Sequence, residues 1–134
     1  VEYFNDSKAT NVDATAKAIA AFSSGIHLIL GGKDKGSDYT TLSQLLRERV
    51  RAVYTIGTAA EKIESQLRGV VSIHSCETLD IAVARAAAAA HPGEVVLLAP
   101  ACSSFDQFEN YEQRGRVFKD LVSRMRSGKP WQSL

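Results

Sequence analysis

Residues Ile26-His27-Leu28-Ile29-Leu30 form a nearly unbroken apolar run, and Gly31-Gly32 follow it at once. A strand with one face in water alternates apolar and polar residues. A run with a single polar position instead fits a strand covered on both faces. The paired glycines mark its end, where the backbone turns sharply or comes close to another group. Val95-Val96-Leu97-Leu98 repeats the pattern ahead of Ala99-Pro100. Strands of this kind belong to parallel sheets sandwiched between helix layers.

Working outward, further strand candidates are Val1–Asn5, Val50–Ile56 and Val70–His74, with the two runs above taken as Ile26–Leu30 and Glu94–Ala99. Helical periodicity fills the intervals. Val12, Ala16, Ile19 and Ala20 make one stripe, with Asn11 placed to cap it and Asp13 suited to the positive N-terminus. Leu42, Leu45 and Leu46 predict a short second helix. Thr58 and Glu61 have capping-box spacing ahead of Ile63 and Leu67. Leu79, Val83, Ala86, Ala87 and Ala90 line a fourth helix, stopped at His91-Pro92-Gly93, and Tyr111, Phe118, Leu121, Val122 and Met125 line a fifth. Alternating β and α segments at this spacing predict one doubly wound α/β domain, with a mostly parallel sheet of five to six strands and helices on both faces. Residues 1–126 are expected to form it, with 127–134 as a tail.

Composition bounds the function. The 134 residues carry 16 Lys and Arg against 15 Asp and Glu, a net charge of +1, which excludes nucleic-acid binding through a broad basic surface. No apolar run approaches the roughly 20 residues of a membrane span, and the first residues lack the pattern of a signal peptide. Cys76 and Cys102 are too few for a disulfide framework and are expected as free thiols in a reducing cytoplasm. His27, His74 and His91 are scattered, and the His74-x-Cys76 pair alone does not make a metal site, so no metal centre is expected.

Open parallel sheets bind ligands at the carboxyl ends of their strands, and three loops there are chemically rich. Asn5-Asp6-Ser7-Lys8-Ala9-Thr10-Asn11 supplies a carboxylate, an ammonium, hydroxyls and amides; it reads as an anion site or as a solvated turn with an ordinary cap. Gly31–Asp38 carries Lys33 and Lys35, but neither a Walker loop nor G-x-G-x-x-G occurs; alone it reads as a solvated lysine turn. In Pro100–Phe108, Ser103 with Asp106 and Ser104 with Gln107 have capping-box spacing, predicting a helix start or, more sharply, a carboxylate site at a helix N-terminus. Cys102 would then lie where a thiol pKa falls, although no histidine is near to activate it. Phe105, Phe108 and Tyr111 are expected to pack.

Taken together, Asn5–Asn11 (NDSKATN), the Gly31–Lys35 loop and Leu97–Gly115 (LLAPACSSFDQFENYEQRG) resemble, in order and spacing, the C-terminal domain of the Mur ligases, in the branch that adds D-glutamate. The resemblance implies a Rossmann-like fold. It also implies a cytoplasmic, monomeric, three-domain enzyme of peptidoglycan precursor synthesis, which joins D-glutamate to UDP-N-acetylmuramoyl-L-alanine through an acyl phosphate made from ATP. ATP and Mg2+ would be held mainly by a central domain, and the UDP-sugar by an N-terminal one. Both are expected upstream of Val1, so this domain alone would be inactive, retain no cofactor and pack against its own partner domains. By the same resemblance, Thr10 and Lys35 hold the α-carboxylate of D-glutamate, and Ser104 and the Tyr111 backbone hold its side-chain carboxylate. Asp6 meets the ATP ribose, and Lys8 reaches the phosphates or the reacting centre as the catalytic group. Tyr111 stands where the family commonly has phenylalanine, and loop variation leaves open whether Lys33 or Lys35 meets the substrate. Two other readings stay open: a free-standing anion- or nucleotide-binding module, and a related ligase that takes another amino acid.

Overall fold

In the computed structural model, which describes residues 1–127, five strands form one all-parallel sheet in the order β1-β5-β2-β3-β4. They are β1 (Glu2–Asn5), β2 (Ile26–Gly31), β3 (Val50–Ile56), β4 (Ser72–Glu77) and β5 (Val95–Leu98). The intervening helices are α1 (Val12–Ala20), α2 (Ser43–Arg49, preceded by a 3₁₀ turn over Tyr39–Leu42), α3 (Ala60–Leu67), α4 (Leu79–Ala89) and α5 (Tyr111–Arg126). Apart from Ser127, the expected tail at 127–134 lies outside the described residues. Among the described residues, no helix is long and apolar enough to cross a membrane.

β2 lies in the middle of the sheet, and its pleat explains its composition. Ile26, Leu28 and Leu30 face a core closed by α1, α2 and α3, while Ile29 faces a second core closed by α4 and α5. All four side chains are fully buried. Burying each contributes on the order of 1.5–3 kcal/mol. Cys102 belongs to the first core and Cys76 to the second, so the sheet separates the two free thiols. On the α5 side, Phe118, Leu121 and Val122 supply the stripe that periodicity predicted.

The path of the chain creates a crevice at one edge of the sheet. α1, α2 and α3 lie on one face as the chain moves from β1 to β4, and α4 returns it on the other face to β5, between β1 and β2. The chain therefore leaves β1 and β2 toward one layer and β5 toward the other. Neighbouring strands that diverge in this way leave an open crevice at their carboxyl ends.

Several local expectations are corrected. β4 begins at Ser72, not Val70, because the Val70 N–H closes a turn onto the Leu67 carbonyl at 3.0 Å and both Val70 and Val71 pack on the first core. Asn11 does cap α1, accepting from the Ala14 N–H at 2.8 Å. Thr58 does not cap α3: its hydroxyl donates to the Gly32 carbonyl, and its N–H instead donates to Asp106 at 3.0 Å.

The one polar residue of the β2 run, His27, is buried at the lower end of the sheet and fully bonded. A carboxylate only accepts, so His27 Nε2 donates to Glu94 at 2.9 Å, while Nδ1 faces the Tyr54 hydroxyl at 2.9 Å. Glu94 also accepts from the His91 N–H at 2.9 Å and from Arg51 at 2.8 Å. Hydrogen bonds from His91, His27 and Arg51, in that order, hold its pKa down from 4.5 to about 2. A depressed carboxylate stabilises the fold above its unfolded pKa and loses that contribution as pH falls through the folded one. Glu94→Gln should therefore cost about 2 kcal/mol above roughly pH 5.5. The gap to wild type should close between pH 4.5 and about 2. Urea unfolding across that pH range checks this; a gap that does not vary with pH would remove Glu94 ionisation from the account.

Candidate functional site

The three loops at the carboxyl ends of β1, β2 and β5 are laced together by main-chain hydrogen bonds centred on the third. The Ala101 N–H donates to the Ala9 carbonyl at 2.9 Å, the Gly31 N–H to Pro100 at 2.9 Å and the Lys33 N–H to Ser103 at 2.9 Å. Ala101 sits at φ +64°, a left-handed conformation that costs an alanine about 1 kcal/mol or more and persists where its surroundings over-determine it. Gly32, at φ +135°, approaches so closely that a Cβ there would lie 2.2 Å from the Ser103 carbonyl oxygen. That contact is the reason for the second glycine.

Beneath these loops lies Arg114, fully buried in the first turns of α5. Its Nε donates to the Ser7 hydroxyl at 2.9 Å, one Nη to the Ser7 carbonyl at 2.7 Å and the other to the Cys102 carbonyl at 3.2 Å. The Ser7 hydroxyl passes its own hydrogen to the Tyr111 carbonyl at 2.7 Å. One guanidinium thus ties the first loop, the third loop and α5. Burial lowers its pKa to about 10, so it remains charged at neutral pH. Its hydrogen-bond acceptors are neutral oxygens, which leaves a positive charge under the crevice. Sequence reasoning passed over Arg114, because one arginine on an amphipathic helix reads as a surface residue.

Two adjoining clefts open above. The first, about 470 Å³, is lined by Thr10, Lys33, Lys35, Ser103, Ser104, Phe105, Asn110, Tyr111 and Glu112. The second, about 390 Å³, is lined by residues that include Asp6, Lys8, Glu112 and Arg116. Tyr111 and Glu112 are shared, so the start of α5 forms a common wall. Thr10, Lys35, Ser104 and Tyr111 are therefore brought together in one cleft, and Asp6 and Lys8 in its neighbour. A larger groove of about 710 Å³ between β1 and α5 is mainly apolar and takes only Asn5 from the three loops.

The serine hydroxyls and lysines of the first cleft are uncommitted. Ser104 is 2% exposed and Ser103 8%, yet neither hydroxyl makes a hydrogen bond among the described residues, nor is either sealed from solvent. Lys8, Lys33 and Lys35 form no salt bridge among the described residues. Lys62, nearby on α3, is spent: it meets Asp34 at 2.9 Å. Asp34 also accepts from the Tyr39 hydroxyl at 2.7 Å and from the N–H groups of Gly36 and Ser37. Burial opposes its charge, but these four donors outweigh burial and lower its pKa to about 2. The N–H groups of Tyr111 and Glu112 begin α5, where backbone donors have no partner within the helix.

Other expectations for the third loop fail in detail. No helix starts at Ser103 or Ser104; the Ser104 carbonyl closes a turn by accepting from Gln107 and Phe108, and α5 begins seven residues later with Asn110 as its cap, accepting from Gln113 at 2.8 Å. Cys102 is consequently not at a helix N-terminus. Burial pushes its thiol pKa up, and its sulfur lies 3.0 Å from the Tyr39 hydroxyl. Phe105 does not pack: it is 67% exposed at the cleft, as is Tyr111 at 42%, whereas Phe108 does rest on the second core. The Gly31–Asp38 loop is more than a solvated turn, since Lys33 pairs with Ser103 in an isolated antiparallel bridge.

Fold and clefts define a doubly wound α/β domain with two polar clefts at its switch point. A model of the family described as Mur ligase, glutamate ligase domain matches residues 1–102, and the chain belongs to that family. Among curated relatives, the UDP-N-acetylmuramoylalanine–D-glutamate ligase of Acidobacterium capsulatum is 67% identical over 99% of this chain. Those of Koribacter versatilis and Salinibacter ruber are 64% and 55% identical over 93% and 91% of it. The chain spans only 27–29% of the length of these relatives.

If Arg114 organises the loops, Arg114→Met should destabilise the domain by about 3 kcal/mol or more, since two carbonyls and a hydroxyl lose their buried donors. Arg114→Lys, which lacks the fork, should recover less than half of that. Urea denaturation measures both; losses under about 0.5 kcal/mol would refute the organising role.

Proposed function

We propose that this chain is the amino-acid-binding C-terminal unit of an ATP-dependent ligase that joins D-glutamate to UDP-N-acetylmuramoyl-L-alanine in peptidoglycan precursor synthesis. The observation that carries this reading is the meeting of Thr10, Lys35, Ser104 and Tyr111 in one cleft whose wall is shared with the cleft of Asp6 and Lys8. The names of the relatives support the choice of D-glutamate.

In this reading the two carboxylates of D-glutamate take the two ends of the first cleft. Lys35 and Thr10 hold the α-carboxylate. The unspent Ser104 hydroxyl and the free N–H of Tyr111, at the positive end of a 16-residue helix, hold the side-chain carboxylate. The buried positive charge of Arg114 and the nearby lysines favour the neutral form of the bound amine, the form that attacks. Across the shared wall, Asp6 accepts from ribose hydroxyls, and Lys8 stabilises negative charge as phosphoryl oxygens accumulate it.

ATP, the UDP-sugar and Mg2+ would be held largely by domains that precede this chain in a cytoplasmic enzyme. Among the described residues, no group of three or more His, Cys, Asp or Glu is placed to hold a metal ion. By the family resemblance Mg2+ goes to the central domain, where it would offset charge on the phosphates.

The test uses the full-length enzyme. ADP release should require UDP-N-acetylmuramoyl-L-alanine and D-glutamate, and L-glutamate should not substitute; equal rates with both enantiomers would sink the reading. Ser104→Ala should raise KM for D-glutamate about tenfold, the effect of one charge-assisted hydrogen bond, with KM for ATP changed less than about twofold. An unaltered KM for D-glutamate would remove Ser104 from the site.

A further inference from the structure

The resemblance gives the α-carboxylate to Lys35 with Lys33 as the open alternative, yet both lysines line the same cleft. The inference drawn from Lys33 rests on the proposed function. That reading gives one carboxylate of the bound amino acid an ammonium, from Lys35, and leaves the other with a hydroxyl and a backbone N–H. A carboxylate taken out of water is held much better when a cation completes its shell.

Lys33 is placed to complete it. Its N–H donates to the Ser103 carbonyl at 2.9 Å in an isolated antiparallel bridge, so its backbone is fixed one residue from Ser104. The preceding Gly32 is held by a hydrogen bond from the Ala59 N–H to its carbonyl at 2.8 Å. The adjacent carboxylate, Asp34, would otherwise compete for Lys33. It is already occupied by Lys62, the Tyr39 hydroxyl and two backbone N–H groups. Lys33 itself makes no salt bridge among the described residues. Among the lining residues Glu112 is the one carboxylate, against Lys33 and Lys35. Two cations against one anion leave the lining net positive, which suits an amino acid with two carboxylates.

We propose that Lys33 is a specificity-determining residue: its ammonium pairs with the side-chain carboxylate of the bound amino acid beside Ser104, and so selects an acidic side chain over its amide. Lys35 keeps the α-carboxylate, so the two lysines divide the substrate between them.

The experiment measures, in the full-length enzyme, KM for D-glutamate and the inhibition constant of D-glutamine as a competitor. Lys33→Met should raise KM for D-glutamate about tenfold, while the D-glutamine constant moves less than about twofold, because the amide never engaged the charge. Lys33→Arg, which keeps the cation, should restore KM to within about threefold of wild type. If both constants shift equally, Lys33 acts on the loop and not on the carboxylate, and the proposal fails; it fails equally if neither moves. A wild-type enzyme without D-glutamate-dependent ADP release would overturn the functional reading itself, and the Lys33 assignment with it. Normal wild-type turnover with an unresponsive Lys33→Met would overturn the assignment alone.

Discussion

The site depends on a charge that, among the described residues, has no anionic hydrogen-bond partner. Arg114 is fully buried, donates to three neutral oxygens and stays protonated, because burial lowers its pKa only to about 10. Its acceptors lie on the loops after β1 and β5, and it is itself part of α5. The guanidinium is planar and its donors point in set directions, so engaging all three of its nitrogens leaves these elements little freedom to shift. A neutral side chain of similar size would fill the space but would not hold the loops in register. The cost of burying the charge is offset by those hydrogen bonds.

A second constraint acts through the main chain. The strained Ala101, the close approach at Gly32 and the bridge between Lys33 and Ser103 bring the second and third loops within hydrogen-bond distance. Backbone groups satisfied this way leave the side chains of Thr10, Ser103, Ser104, Lys33 and Lys35 uncommitted. Charge is partitioned in the same manner. Asp34 and Lys62 neutralise each other on a network that includes Tyr39, while Lys33 and Lys35 keep their charges for the cleft. A net charge of +1 for the whole chain thus coexists with clefts whose linings carry more cations than anions.

Much of this was legible from residue order. The nearly unbroken apolar run of β2 and the alternation of β and α segments announced a parallel sheet between helix layers, and Asn11 marked the start of α1. Resemblance singled out Thr10, Lys35, Ser104, Tyr111, Asp6 and Lys8, which the fold sorts into two adjoining clefts. Three capping boxes failed for one shared reason. Such a motif records only local spacing, whereas Thr58 and Asp106 found each other across 48 residues, and Ser104 was taken into a turn. Arg114 was missed because burial of an arginine depends on acceptors contributed by Ser7 and Cys102, 107 and 12 residues away.

The sequence by itself determined which segments become strands and helices and that three polar loops follow β1, β2 and β5. Those properties arise from periodicity, turn chemistry and side-chain size, all of which act over a few neighbouring residues. Only the tertiary structure decided that Thr10, Lys33, Ser104 and Tyr111 share one cleft, that Asp34 is spent on Lys62, and that a guanidinium lies under the site. Those outcomes depend on which distant donors and acceptors meet once β5 has inserted between β1 and β2, and no local pattern carries that information.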